Sequence, residues 1–188
     1  IEHIQRKLNQ AHSVHPESNT LNDFRANNNI IDLENKALTK ARKIITPHSE
    51  IAEIFNNKAH ELEWVKPKQT KTGIGKKILF PASTVGRKGC YELRNLAQQL
   101  NLTLTIQGRN LEGDDFWKGI KTERFDGDYS NIGLVVYPAH VENQPRNLLK
   151  ALSMCIPVIA SKGCGLKTSS NLRVVYLNSQ DSLLEAIK

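Results

Sequence analysis

Residues 133–152 read Gly-Leu-Val-Val-Tyr-Pro-Ala-His-Val-Glu-Asn-Gln-Pro-Arg-Asn-Leu-Leu-Lys-Ala-Leu. The run from Gly133 to Tyr137 is short and apolar, as a strand buried on both faces requires, and Pro138 ends it. Pro145 is a favoured first helical residue, so a helix is expected from Pro145 to Met154. Strand followed directly by helix is half of a βαβ unit. The turn between them carries one carboxylate, Glu142.

The same alternation extends in both directions. Towards the C-terminus, strands are expected at Pro157–Ala160 and Arg173–Leu177, with a closing helix at Asp181–Ile187. Towards the N-terminus, strands are expected at Ile78–Ala82, Leu102–Ile106 and Thr122–Phe125. Between these lie an amphipathic helix, Gly89–Leu100, with Leu93, Leu96, Ala97 and Leu100 on one side, and a short helix, Asp114–Ile120. Strands alternating with helices imply an α/β fold: a Rossmann-like parallel sheet with helices on both faces. Such sheets bind ligands at the carboxyl ends of their strands, where strand order reverses. The loops after Ala82, Ile106, Phe125, Tyr137 and Ala160 are therefore the ones that can carry chemistry.

The first of them, Ser83 to Gly89, joins a buried strand to a helix start, a natural place for phosphate. Gly86 and Gly89 permit close backbone approach, and Arg87 and Lys88 add positive charge. A surface turn with two solvated cations explains the same residues. Gly108, before Arg109, is either a second point of close approach or an ordinary strand exit, and Asp126 and Asp128 face either a ribose or water. Glu142 can accept hydrogen bonds from sugar hydroxyls, with the adjoining helix start at Arg146 and Asn147 facing phosphate; alternatively it only favours the helix N-terminus. His140 reads as a structural or surface residue. Gly163-Cys164-Gly165 allows approach to a ligand or to the preceding loop, or is a flexible turn. Several such loops on one sheet edge favour a pocket for an anion and a polyol.

Residues before 77 follow another pattern. Ile1, Ile4 and Leu8 fit one stripe of a helix, and His15 to Thr20 reads as a turn. A helix at Ile31–Lys43, a buried strand at Ile44–Pro47, a short helix at Ile51–Asn56 capped by Ser49, and a strand at Glu63–Lys66 follow. The basic, Gly-containing stretch Lys66–Lys77 reads as a linker or mobile loop. The opening Ile1-Glu2-His3 has no initiator Met or signal-peptide pattern and reads as a cut within a longer chain.

Composition narrows the function classes. The formal charge of +7 suits phosphate-bearing ligands, anionic lipid heads or nucleic acid, and also a plain solvated basic surface. With 6% aromatic residues and no basic stretch interleaved with aromatics, no base-stacking platform is expected, and hence no nucleic-acid partner. Cys90, Cys155 and Cys164 have neither zinc-ligand nor disulfide-framework spacing, fit small buried hydrophobes, and suit a reducing cytosol. No apolar run has membrane-spanning length.

On these residues the stretch from Lys77 to Lys188 resembles the C-terminal domain of GT-B-fold glycosyltransferases, closest to the retaining group called glycosyltransferase family 4 or group 1. Lys88-Gly89 resembles that family's diphosphate-binding Arg…Lys-Gly motif, with Arg87 as a substitute for its Arg. Glu142 matches the first of its paired glutamates, and Ala151-Leu152 with Ile156 to Ala160 matches the segment closing that motif. Residues 31–56 resemble the end of the family's N-terminal domain. Departures are Lys150 at the second, ribose-holding glutamate, Cys155 at a usual Gly, Ser83 at the usual Arg, and Gln144-Pro145 at the usual aromatic-Gly pair.

The resemblance implies a domain plan: residues 1–56 as a remnant of the acceptor domain, 57–76 as linker, and 77–188 as the nucleotide-sugar domain. Residues 1–56 are expected to be partly disordered or to pack on that domain as a tail. It implies transfer of a sugar from a nucleotide-diphosphate donor to a glycan or lipid-linked acceptor, in bacterial cell-surface polysaccharide synthesis. The setting would be cytoplasmic, with peripheral contact to an anionic membrane as an addition. Glu142 would be the catalytic residue, with Gly86, Arg87, Lys88, Gly108, Arg146, Asn147 and Lys150 around the donor and no metal or other cofactor. One wall of a two-domain cleft would be absent, so this chain alone would not turn over. The alternatives are a non-catalytic nucleotide- or sugar-binding module, and a basic nucleic-acid- or membrane-surface-binding domain.

Overall fold

The computed structural model describes residues 1–23, 25–68, 75–177 and 180–187. Six strands form one wholly parallel sheet: β3 (Lys77–Phe80), β4 (Thr103–Ile106), β5 (Lys121–Arg124), β6 (Ile132–Tyr137), β7 (Val158–Ser161) and β8 (Leu172–Val175). Their order across the sheet is β5-β4-β3-β6-β7-β8. From β3 the chain builds outwards through β4 and β5, then returns to β6 and builds the other way. The reversal of strand order thus falls between β3 and β6, and the carboxyl ends of these two strands flank the crevice where doubly wound sheets bind ligands.

Helices α4 (Cys90–Leu100) and α5 (Arg146–Ser153) connect β3 to β4 and β6 to β7. Right-handed crossovers running in opposite directions from the reversal point set them on opposite faces. Helix α6 (Gln180–Ile187) packs beside α4 and β8. The core between these layers is apolar and closed: Leu79, Phe80, Leu93, Leu104, Val135, Val136, Leu148 and Val158 are all essentially buried. Edge strand β5, Lys-Thr-Glu-Arg, is exposed along its length, and its charges discourage pairing with a further chain.

The connection from β4 to β5 differs from expectation. Asp114–Ile120 forms successive turns, not a helix. Phe116 and Trp117 fix it, stacking edge-on against each other at 4.8 Å, while the Trp117 indole donates to the Thr84 hydroxyl (2.9 Å). Pro145 stands just outside α5 at its N-cap rather than as its first residue.

Residues before 62 form a smaller unit: α1 (Glu2–Val14), α2 (Asn28–Lys40), β1 (Ile44–Thr46), α3 (Ser49–Ile54) and β2 (Ala59–Glu61), with β1 and β2 paired in parallel. Helix α2 starts three residues earlier than its charges suggest, because the Asn27 side chain caps it by accepting from the Ile30 N–H (3.0 Å). Strand β1 is not the buried strand expected: Ile45 is 67% exposed. Ser49 does not cap α3. It begins the helix, and its hydroxyl donates to the Leu166 carbonyl (3.3 Å). The second strand falls at Ala59–Glu61 rather than at Glu63–Lys66, because pairing with β1 sets its register. The expected linker lies partly outside the described residues, which omit 69–74.

The described part of the N-terminal tail packs on the main domain. Leu8, Ala11 and Leu21 form a small buried cluster with Val141. Among the described residues no helix is long and apolar enough to cross a membrane.

Two backbone positions test the local reading. Gly89 has φ +77°, and a Cβ there would overlap the Pro138 carbonyl of the neighbouring strand's exit. Cys155, at the turn into β7, has φ +61°, a left-handed conformation that costs an ordinary side chain about 1–2 kcal/mol. We expect Gly89→Ala to lower unfolding stability by about 2 kcal/mol or more. Cys155→Gly should raise it by about 1 kcal/mol. Urea denaturation checks both, and a destabilised Cys155→Gly variant would contradict the strain assigned there.

Candidate functional site

The carboxyl end of β3 leads through Ser83 and Thr84 into a single 3-10 turn, Gly86–Lys88, before α4 begins. The carboxyl end of β6 leads through Pro138–Gln144 into α5. The two exits are laced together, since the N–H groups of His140 (3.0 Å) and Val141 (3.3 Å) both donate to the Arg87 carbonyl. That lacing sets Lys88 opposite Glu142.

The Lys88 ammonium lies 2.6 Å from Glu142 Oε2, and both side chains are largely buried. Tyr137, the last residue of β6, donates its hydroxyl to the same oxygen (2.6 Å), and the Gln144 N–H donates to Oε1 (2.8 Å). Burial pushes the Glu142 pKa up, but the bonds from Lys88 and Tyr137 and the charge of Lys88 outweigh it, so the pKa is lowered and the group is a carboxylate at neutral pH. Burial lowers the Lys88 pKa against the raising effect of Glu142. Burial also raises the Tyr137 pKa, which keeps the phenol a donor.

The Glu142 main chain is held on both sides. Its N–H donates to the Gly163 carbonyl (3.0 Å), and His48 Nε2 donates to its carbonyl (3.2 Å). Gly163 therefore makes its close approach to the preceding loop, with its α-carbon packed against the carbonyls of Ala139 and His140. His48 reaches across because Gly165 leaves room for its ring. Burial lowers its pKa, so the imidazole is neutral.

A cavity of about 390 Å³ opens beside these groups, lined by Pro81, Tyr137, Glu142, Gln144, Arg146 and Asn147 among others. The Arg146 guanidinium donates to the Gln144 side chain, and Asn147 donates to the Pro81 carbonyl (2.7 Å). A second cavity of similar size adjoins it, sharing Gln144 and Arg146 and bounded by Pro47 and Trp64. A larger cavity, about 500 Å³, lies elsewhere, between α1, α4 and the exits of β7 and β8. Its charged groups include the Lys7–Glu50 pair and Glu92, which bonds both His15 and His140. The smaller cavity holds the convergent carboxylate, cation and helix start, and is the better candidate site.

Not every residue singled out from the sequence faces that cavity. Gly86 does not: its N–H is shared between the Thr20 hydroxyl and Glu112 (2.8 Å each), and its missing side chain makes room for Ser18 and Leu21. Its smallness serves the docking of the N-terminal tail. Gly108 packs against Ser83, so its close approach is to the neighbouring loop. Lys150 is exposed, places its ammonium 4.6 Å from the centre of the Tyr129 ring, and is not among the residues that line the cavity. Lys88, expected as a phosphate cation, is largely committed to Glu142. Arg87 is half-buried, and its carbonyl joins the two exits. Cys90 and Cys164 are buried, as their plain reading has it, while Cys155 is half-buried. Burial pushes the Cys164 thiol up to about 12. Among the described residues no group of three or more His, Cys, Asp or Glu is placed to hold a metal ion.

Several residues escaped the sequence reading. Tyr137 was legible only as a strand end. Glu112 lies in a segment without periodicity, yet it is buried and accepts from Ser18 (3.0 Å), the Asn19 N–H (2.9 Å), Thr20, Tyr91 (2.9 Å) and Gly86. Burial would raise its pKa, but these donors, Thr20 first, lower it. Glu92 behaves alike: bonds from His140 (2.8 Å) and His15 overcome burial and bring its pKa to about 2. His15 also stacks on Tyr91, with ring centres 4.6 Å apart.

The fold and site together define a doubly wound α/β domain with a carboxylate–lysine pair at the point where strand order reverses. No protein-family model matches the sequence, and no curated protein matches it. Solved structures do match. The lipopolysaccharide outer core galactosyltransferase WaaB superposes with a TM-score of 0.63 at 16% identity, over 81% of this chain and 53% of that one. Sucrose-phosphate synthase from Thermosynechococcus elongatus gives 0.60 at 17%, over 87% and 52%. Anabaena HepE, solved in complex with UDP and glucose, gives 0.54 at 17%, over 85% and 56%. The chain thus spans about half the length of these proteins and has the fold of the C-terminal domain of GT-B glycosyltransferases.

The His15–Glu92 contact should make tail docking pH-dependent. Burial opposes charge on His15, but the hydrogen bond and charge of Glu92, with Glu17 nearby, leave its pKa raised above 6.5. A raised folded-state pKa stabilises the docked form fully below 6.5 and loses that contribution as pH rises through the folded value. Hydrogen-exchange protection of residues 2–14, corrected for intrinsic rates, should therefore fall as pH rises above 6.5. Glu92→Gln should flatten the dependence, and protection that rises with pH would contradict it.

Proposed function

We propose that this chain is the donor-binding part of a glycosyltransferase that moves a sugar from a nucleotide-diphosphate donor to a glycan or lipid-linked acceptor. One observation carries the reading: an ionised, firmly oriented carboxylate, Glu142, beside the start of α5 at the reversal point of the sheet. In the proposed complex Glu142 accepts a hydroxyl of the donor sugar. The N–H groups at the start of α5, with Arg146 and Arg87, face the diphosphate and offset charge as it leaves, without a metal ion. The solved relatives of this fold include proteins captured with UDP and a sugar, which supports a donor of that class.

In this proposal residues 77–188 form the donor domain, residues 1–56 are the end of an acceptor-side domain, and 57–76 join them. Transfer is proposed to be retaining and to take place on the cytoplasmic side of an anionic membrane, in bacterial polysaccharide synthesis. The chain spans about half the length of the solved glycosyltransferases it matches, and in this proposal it binds donor weakly and does not turn over by itself.

A second reading is favoured by Lys150, which lies over Tyr129 rather than beside the cavity: a module that binds a nucleotide sugar without transferring it. Binding by the full-length natural protein, with neither transfer nor donor hydrolysis, would select it.

Calorimetric titration of that protein with UDP, GDP and ADP and their hexose conjugates tests the proposal. Arg146→Ala should weaken nucleotide and nucleotide sugar alike, by about tenfold. Glu142→Ala should weaken the sugar conjugate by about tenfold or more relative to the nucleotide. It should also lower folding stability by about 1–3 kcal/mol, since the Lys88 side chain is left largely buried without its partner. No binding of any of these ligands by the full-length protein would end the reading.

A further inference from the structure

The two carboxylate oxygens of Glu142 have unlike surroundings. Oε2 accepts from the Lys88 ammonium and from the Tyr137 hydroxyl, each at 2.6 Å. A carboxylate oxygen has two lone-pair sites, so Oε2 is filled. Oε1 accepts only the Gln144 N–H among the described residues, at 2.8 Å, and so keeps one lone-pair site, in a residue that lines the cavity. The peptide groups on either side are tied to Gly163 and His48, so the whole residue has little freedom to turn.

Lys88 and Tyr137 do different things to this carboxylate. An ammonium on a flexible four-carbon stem is close to a point charge, with little preference between the two oxygens. The phenol is directional. Tyr137 is 4% exposed and its ring packs against Phe80 at 6.0 Å between centres, which holds the hydroxyl on Oε2.

We propose that Tyr137 is a positioning residue that gives the oxygens of Glu142 separate tasks: Oε2 is closed by Tyr137 and Lys88, and Oε1 is presented to a hydrogen-bond donor on the sugar of the bound nucleotide sugar. This rests on the function proposed above. It requires the group met at Oε1 to be a hydroxyl or an amine, because an ionised phosphate oxygen has no proton to give. It also removes Lys88 from the first rank of phosphate ligands and leaves that task to Arg146, Arg87 and the start of α5.

Tyr137→Phe deletes the hydroxyl and little else. In the ligand-free full-length protein with isotope-labelled glutamate, the Glu142 carboxylate resonance, assigned with Glu142→Gln, should titrate at higher pH in the variant, because a donor to the charged form is lost. An unchanged titration overturns the proposal whatever the binding data show. The second readout is the ratio of affinities for UDP-glucose and UDP, or for whichever conjugate and nucleotide bind in the titrations above. That ratio should fall on the order of tenfold in the variant. Equal losses for both ligands overturn the sugar-facing role and leave Tyr137 a structural residue. If the wild type binds no nucleotide sugar while the titration shifts, the function itself falls, and the task assigned to Oε1 falls with it.

Discussion

The contact between the Lys88 ammonium and the Glu142 carboxylate sets the terms for the surrounding structure. Two charges largely withdrawn from water are tolerable only if each is paired and their remaining hydrogen-bonding capacity is met. Here that capacity is met by the Tyr137 hydroxyl, the Gln144 N–H and the Val141 carbonyl, which Lys88 approaches to 3.4 Å. Each partner needs its own strand exit to stay in place. The Arg87 carbonyl, accepting from His140 and Val141, joins those exits, and Gly89 lets them touch. The pair lies at the reversal point of the sheet because β3 and β6 are neighbours in space, although about fifty residues separate them in sequence.

Around this centre the N-terminal unit acts as a brace. His48 holds the Glu142 carbonyl. The Ser49 N–H (3.1 Å) and the Trp64 indole (3.0 Å) both donate to the Gly165 carbonyl, which fixes the Gly163–Gly165 turn beneath. Glu112 and Glu92 bind the tail to the first loop and to α4 through buried hydrogen bonds. Such buried polar networks are unforgiving when one member is removed, and they specify one arrangement when all are satisfied. Among the described residues, none of the charged groups of residues 1–64 lines the candidate cavity.

The glycines and the lysines show where a linear reading stops. Gly86 and Gly108 sit in loops at the ligand-binding edge, and close backbone approach was the natural expectation. The approach is real, but it is made by Ser18 and Leu21 at one and Ser83 at the other. Lys88 reads as a phosphate cation until Glu142, fifty-four residues on, is seen beside it. Lys150 reads as a replacement in the ribose position until Tyr129 is seen beneath its ammonium. A residue's type states what it can bind; its neighbours decide what it does bind.

The sequence by itself determined the α/β alternation, the parallel sheet, the strands read at Gly133–Tyr137 and Pro157–Ala160 to within one residue at each end, and the two loops that carry Lys88 and Glu142. These follow from periodicity, glycine and proline placement, and burial of apolar runs, all of which are local in the chain. Tertiary structure alone decided that Glu142 and Lys88 neutralise each other, that Tyr137 and His48 orient the carboxylate, and that Glu112 and Glu92 are buried. It also decided that the strand after β1 falls at Ala59–Glu61. Each of these depends on a partner distant in sequence or across a strand pairing, and hydrogen bonds and burial are set by distance in space.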